Sequence, residues 1–251
     1  MLNRPVVALF PFSLIVLWLA ARLGLYFRRY RPLGDDEREE FSFVQAATLT
    51  LLGLIIGFTF SMAVGRYDQR KNYEEEEANA IGTEYSRVTL LPSAEVAHVQ
   101  SLLKKYLDLR ISFYEAEDES ELLRINADTA KLQAEMWLPV QAAATAQPTP
   151  VMAVVVSGMN DVFNTQGYTQ AAWWNRIPAS AWCLMMVIAI LCNGLIGYGG
   201  RHTCTKNTVT LIMPLFVAIS FLLIADIDSP RGGFIRVVPQ NLVSLSQSLH
   251  E

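Results

Sequence analysis

Four long apolar runs punctuate the chain: Pro5–Phe27, Phe43–Gly65, Ala179–Tyr198 and Thr208–Ala225. Each approaches or exceeds the roughly 20 residues that a helix rising 1.5 Å per residue needs to cross a bilayer. The polar stretch between the second and third runs has a different pattern. There Val99, Leu102, Tyr106, Leu109 and Phe113 recur at steps of three and four. So do Leu122, Ile125, Thr129, Leu132 and Met136, and then Met152, Val155, Met159 and Val162. One apolar stripe on each polar segment predicts amphipathic helices that bury those stripes against one another. Breaks are expected at Leu91-Pro92-Ser93, with Ser93 as an N-cap, at the acidic stretch Glu115–Glu121, and at Gln147-Pro148-Thr149-Pro150. No alternation of β-branched residues predicts a strand.

The pattern predicts an all-α membrane protein with four transmembrane helices in two hairpins. A helical-bundle extramembrane insert separates spans two and three. The boundaries expected are 1–65 for the first hairpin, 66–176 for the insert, 177–227 for the second hairpin and 228–251 for a C-terminal tail. The first run has the form of a secretory signal, since Arg4 precedes an apolar stretch ending at Leu19-Ala20-Ala21. Apolar character resumes after Arg22 through Leu23–Phe27, which favours a retained anchor.

Composition agrees with a membrane protein: 52% of residues are hydrophobic and mean hydropathy is +0.26. Charge is unevenly placed. Residues 66–176 carry 10 basic and 16 acidic side chains, and the remainder 10 basic and 8 acidic. An acidic insert in a weakly basic frame argues against nucleic acid as a partner. Near the membrane, Arg28, Arg29, Arg31, Arg38, Arg201 and Lys206 fall on one face. Arg4, Arg66, Arg70, Lys71, Arg176, Arg231 and Arg236 fall on the other, a balance that gives the positive-inside rule nothing to act on.

The second run carries the most specific local pattern. Ala46, Thr50, Gly53, Gly57 and Ser61 form a stripe of small residues, with Leu54 and Phe58 beside it. Small residues let helix backbones approach closely in lipid. The same face also suits a pore-lining helix in an oligomer, with Phe58 as an apolar constriction that gates by dewetting. Arg66, Asp68 and Arg70 follow this span, Arg176 precedes the third, and Asp226, Asp228 and Arg231 follow the fourth. The expected topology brings them to one interface, as an ion-pair network pairing Asp226 with Arg66, Arg70 or Arg176, or as a charged vestibule. Four consecutive carboxylates, Glu74–Glu77, spread over every face of a helix and read as solvent-exposed.

Catalytic and metal-binding constellations are missing. His98, His202 and His250 lie far apart, and Asp226–Gly233 offers too few oxygens for a Ca²⁺ loop. Cys183, Cys192 and Cys204 have no repeated spacing and read as plain thiols. Asn193, inside the third span, reads as an interhelical hydrogen-bond donor. The sequence therefore predicts neither an enzyme nor a cofactor.

Four segments, LLGLIIGFTFSMAVGRYDQRK, EEANAIGTEYSRVTLLP, NRIP and DIDSPRGGFIRV, resemble in order and spacing the bestrophin-like domain of bacteria. The resemblance runs from about Phe41 to Leu249. It implies two helical hairpins around a helical extramembrane segment, and a relation to bestrophins, pentameric channels with a pore-lining second transmembrane helix and cytosolic termini. It places Leu54, Phe58 and Ser61 in the region corresponding to the bestrophin neck. The insert is shorter than in bestrophins and carries no recognisable acidic Ca²⁺ clasp. The function expected is an oligomeric ion channel of the bacterial inner membrane, lined by the second span, with anions as the candidate permeant. Its partners would be the lipid bilayer, further copies of the chain and inorganic ions. The alternative is a non-conducting membrane scaffold or sensor whose helical domain recruits a partner.

Overall fold

The computed structural model describes residues 4–200 and 207–250. Arg201, His202, Cys204 and Lys206 lie outside the described residues, as does the Arg4 side chain. Among the described residues eight α-helices run in order: α1 (Arg4–Tyr30), α2 (Asp35–Arg87), α3 (Ser93–Glu115), α4 (Glu119–Ala146), α5 (Pro150–Trp174), α6 (Ala179–Gly199), α7 (Asn207–Asp228) and α8 (Gln240–His250). A 3₁₀ turn, Val88–Leu90, follows α2. There is no strand among the described residues. Among the described residues, four helical stretches are long and apolar enough to cross a membrane, the pattern of an integral membrane protein.

The local sequence explains where helices start and stop. No proline interrupts α2, which runs for 53 residues. At about 80 Å it far exceeds a hydrocarbon core of about 30 Å, so its charged half lies beyond the span ending at Gly65. It closes through the 3₁₀ turn onto Leu91, which is extended because Pro92 disfavours a helical residue before it. Ser93 is the first residue of α3 and not its cap. Pro92 holds the N-cap position, and its carbonyl accepts the Glu95 N–H at 2.9 Å. At α5 the Thr149 side chain accepts the Met152 N–H at 3.2 Å, with Pro150 in the first turn, where a missing N–H costs nothing.

The chain forms two compact units. Unit 1 comprises Met1–Tyr67 and Arg176–Arg236, and unit 2 comprises Asp68–Asn175 and Val237–Glu251. In unit 1, α1 packs against α6 and α7. Leu17, Leu52, Met185, Ala189, Cys192, Val217 and Phe221 form one buried cluster, and Ala63, Ile177, Ile224 and Ile227 a second. Cys192 serves there as a small apolar side chain, while Cys183 is exposed. Asn193 is buried but donates to the Ala189 carbonyl of its own helix, at 2.8 Å, and not across helices as expected. A neighbour four residues back is always within its reach, whereas an interhelical acceptor must be brought there by packing.

Small residues make the tightest packing, between α1 and α6. A Cβ on Gly24 would overlap the Gly194 carbonyl, and one on Gly197 would overlap the Ala21 carbonyl. Backbone thus meets backbone at this seam, which is how dispersion forces hold helices together in lipid.

In unit 2 the predicted stripes form the core. Val99, Leu102, Tyr106 and Phe113 of α3, Ile125, Leu132 and Met136 of α4, and Met152, Val155, Met159 and Val162 of α5 are all buried. Leu109 and Leu122 are half-buried. The segment read as a tail ends in α8, which packs against α3.

Replacing Gly197 by Val should force α1 from α6, cost the roughly 1–3 kcal/mol typical of overpacking, and lower the thermal midpoint in detergent. Replacing Gly53 by Ala should not, because nothing lies within 4 Å of its added methyl. Thermal melts of the two variants check both.

Candidate functional site

In unit 1, α2 turns one face inward and leaves the other bare. Leu52, Thr59 and Ala63 are buried, with Ile55 and Ile56 packed beside them. Thr50, Gly53, Leu54, Gly57, Phe58 and Ser61 are all exposed. Leu54 keeps 52% and Phe58 65% of its surface open. Gly53 and Gly57 have nothing within 4 Å of where a side chain would start. The Thr50 hydroxyl donates to the Ala46 carbonyl of its own helix at 2.9 Å. Within one chain, therefore, this stripe packs against no helix; the α1–α6 seam does that work.

Two carboxylates of unit 1, Asp226 and Asp228, adjoin the turn after α7. Sequence offers Arg66, Arg70 and Arg176 as partners for Asp226. Its two oxygens accept instead the N–H groups of Phe234, at 2.7 Å, and Ile235, at 3.0 Å. Asp228 accepts the Ile177 N–H with both oxygens, at 3.2 and 3.1 Å. One aspartate thus closes the Pro230–Gly233 turn and the other ties α7 to the start of α6. Gly233 is required there, since a Cβ would overlap the Asp226 carbonyl. Arg66 is half-buried and its Nη2 lies 3.6 Å from the Met62 sulfur. Arg176 is exposed and Arg231 half-buried. Asp68, exposed, and Arg70, buried, belong to unit 2.

Unit 2 holds residues that sequence reasoning misjudged. Glu75 and Glu76 are exposed as expected, but Glu74 and Glu77 are buried. Both lie on a buried line made of Arg70, Glu74, Glu77, Ile81 and Glu84 along α2 and Val88 in the 3₁₀ turn that follows it. These positions recur at steps of four and three, the same signal as the apolar stripes, carried mostly by charged residues. A search restricted to apolar residues passes over it.

Each buried acid has its own surroundings. Glu77 accepts from Arg110 Nε, from the Tyr114 hydroxyl at 3.3 Å and from the Thr169 hydroxyl at 3.2 Å. Burial works against the Arg110 charge, but Glu77 and Tyr106 outweigh it and hold the guanidinium protonated. Burial, reinforced by the Glu77 charge, pushes the Tyr106 and Tyr114 hydroxyls well above the usual phenol range. Glu74 accepts the backbone N–H groups of Asn241 and Leu242, at 2.9 and 3.0 Å, and the Asn241 side-chain amide at 2.6 Å. It therefore caps the first turn of α8 from another helix, where free N–H groups and the helix dipole favour a negative charge. Among the described residues no group of three or more His, Cys, Asp and Glu side chains could hold a metal ion.

These elements define a class: a polytopic all-helical membrane protein in which one long helix serves both an apolar unit and a helical unit with buried charges. The chain belongs to the Bestrophin-like domain family, whose model matches residues 8–242. No curated protein matches it. Solved structures of a bacterial bestrophin homologue from Klebsiella pneumoniae share its fold. A point variant of that homologue is 14% identical, with 97% of this chain and 96% of that chain covered and a TM-score of 0.66. A zinc-phased structure of the homologue is 15% identical, with 95% and 94% covered and a TM-score of 0.62.

Two substitutions test these contacts. Asp226→Ala should release two backbone amides, cost about 2–3 kcal/mol or more, and lower the yield of folded protein. Arg110→Ala should leave Glu77 charged and buried, costing about 3–5 kcal/mol. Thermal unfolding in detergent reads both.

Proposed function

We propose that the chain assembles into a homo-oligomeric, bestrophin-like ion channel of the bacterial inner membrane, lined by α2, with anions as the permeant class. The bare face of α2 carries this reading. Leu54 and Phe58 stand open beside glycines that meet nothing in their own chain. A face of small and apolar residues is costly to leave unused in a membrane protein, where close packing drives association. A closed ring around α2 would cover part of the stripe with neighbouring subunits and turn Phe58 toward the axis, as a constriction that excludes water when closed. Membership of the bestrophin-like family supports the reading.

In this reading the four spans form two hairpins, with residues 66–176 in the cytosol. Arg66, Arg176, Asp226, Asp228 and Arg231 then surround the exit from the span. The two aspartates shape the backbone at that mouth, and the arginines supply positive charge for an arriving anion.

Purified protein in liposomes should carry an ion flux, and Phe58→Ala should increase it severalfold by widening the constriction. Native mass spectrometry should give a closed oligomer. A correctly assembled oligomer with no flux for any ion would overturn the proposal and favour a scaffold or sensor.

A further inference from the structure

Glu84 lies in the charged half of α2, about 19 residues and five turns past the end of its apolar run. Its side chain is fully buried, and neither carboxyl oxygen has a hydrogen-bond partner. This separates it from Glu74 and Glu77, whose oxygens are met by amides, hydroxyls and a guanidinium. Gly158 of α5 makes the room it occupies. A Cβ there would overlap Glu84 Oε2 and approach Arg87 Nη1 to 2.6 Å. Close by, Arg87 Nη1 faces Asp161 Oδ2 at 3.8 Å, and both side chains reach solvent.

The charged groups acting on Glu84 are thus Arg87 from its own helix and Asp161 from α5. The neighbours from α3 act on Tyr85 instead. Gln100, neutral, donates to the Tyr85 carbonyl at 3.4 Å, and Lys104 lies over the Tyr85 ring at 5.8 Å. From α8, the apolar Leu245 meets Gly82.

We propose that Glu84 is a proton-binding site: its carboxyl is held neutral against Gly158, and its ionisation loosens the contact between α2 and α5. A carboxylate without donors is far more costly to bury than a carboxylic acid. Arg87 Nη1 lies beside Glu84 at Gly158 yet donates no hydrogen bond to either carboxyl oxygen, so the charged form gains a donor only by shifting that contact. Burial pushes the Glu84 carboxyl up to about 8; Arg87 pulls it down and Asp161 pushes it up. In the unfolded chain it titrates near the ordinary 4.5. Between these values the folded state holds one proton more than the unfolded state. Stability therefore falls as pH rises through that window and levels off above it. The alkaline side of neutrality is where unit 2 loosens, whether or not the chain conducts ions.

The test is infrared difference spectroscopy of the full chain in lipid nanodiscs during a pH titration. A protonated carboxyl band should be present below neutrality, disappear with a midpoint near pH 8, and be missing from Glu84→Gln. Amide exchange in α5 around Gly158 should accelerate through the same midpoint in the wild type, beyond the acceleration in Glu84→Gln. If Glu84→Gln does not fold, Asp161→Asn and Arg87→Gln carry the test. The first should shift the midpoint down and the second up. A band indifferent to Glu84→Gln, a midpoint near 4.5, or shifts of one sign in both variants would overturn the proposal.

Discussion

Everything in this protein depends on α2 being one unbroken helix. Such a helix meets its backbone hydrogen bonds internally, which is the condition for crossing lipid, where an unmet N–H or C=O costs several kcal/mol. The same property lets it leave the bilayer without a turn. Its environment changes at Gly65–Asp68, from apolar neighbours to buried charges, while its backbone does not change. A proline or a run of turn residues here would have separated the span from the helical unit. Instead one helix supplies side chains to both units.

The buried line on α2 is an uncommon way to build a core. Arg70, Glu74, Glu77 and Glu84 sit where apolar side chains would pack as well. Buried ion pairs seldom add stability over apolar replacements, because desolvation offsets their attraction. What they add is discrimination. Glu77 is satisfied when Arg110, Tyr114 and Thr169 converge on it from α3 and α5. A slipped register along α2 would leave a bare carboxylate inside, whereas an all-leucine stripe would tolerate the slip. The aromatic cluster of Phe113, Tyr114 and Trp173, with ring centroids 5.1–5.6 Å apart, packs beside these groups and keeps water from them.

Most of the fold was legible because both helical signals, a long apolar run and a three-four stripe, are local properties of the chain. All four spans and the stripes of α3, α4 and α5 were read this way, as was the break at Pro92. Features that depend on partners distant in sequence were not. Asp226 could be seen near arginines, but its capture by the amides of Phe234 and Ile235 depends on how a glycine turn folds. Glu74–Glu77 looked solvated because four adjacent charges cover every helix face, and only the neighbouring helices decide which of the four go inside. The close α1–α6 seam is signalled by Ala20, Ala21, Gly24, Gly194 and Gly197, a weaker pattern than the stripe on α2. Within the single chain that stripe stays exposed.

The cap that Glu74 places on α8 also orders events in time. Glu74 and Leu242 are 168 positions apart. A helix as short as α8 does not hold together alone in water. Neither partner is complete without the other, so unit 2 cannot close during early translation, however soon α2 enters the membrane. Until residue 242 has emerged, Glu74 lacks the N–H donors that meet it in the finished chain. A chain that ends before α8 therefore leaves Glu74 without these donors.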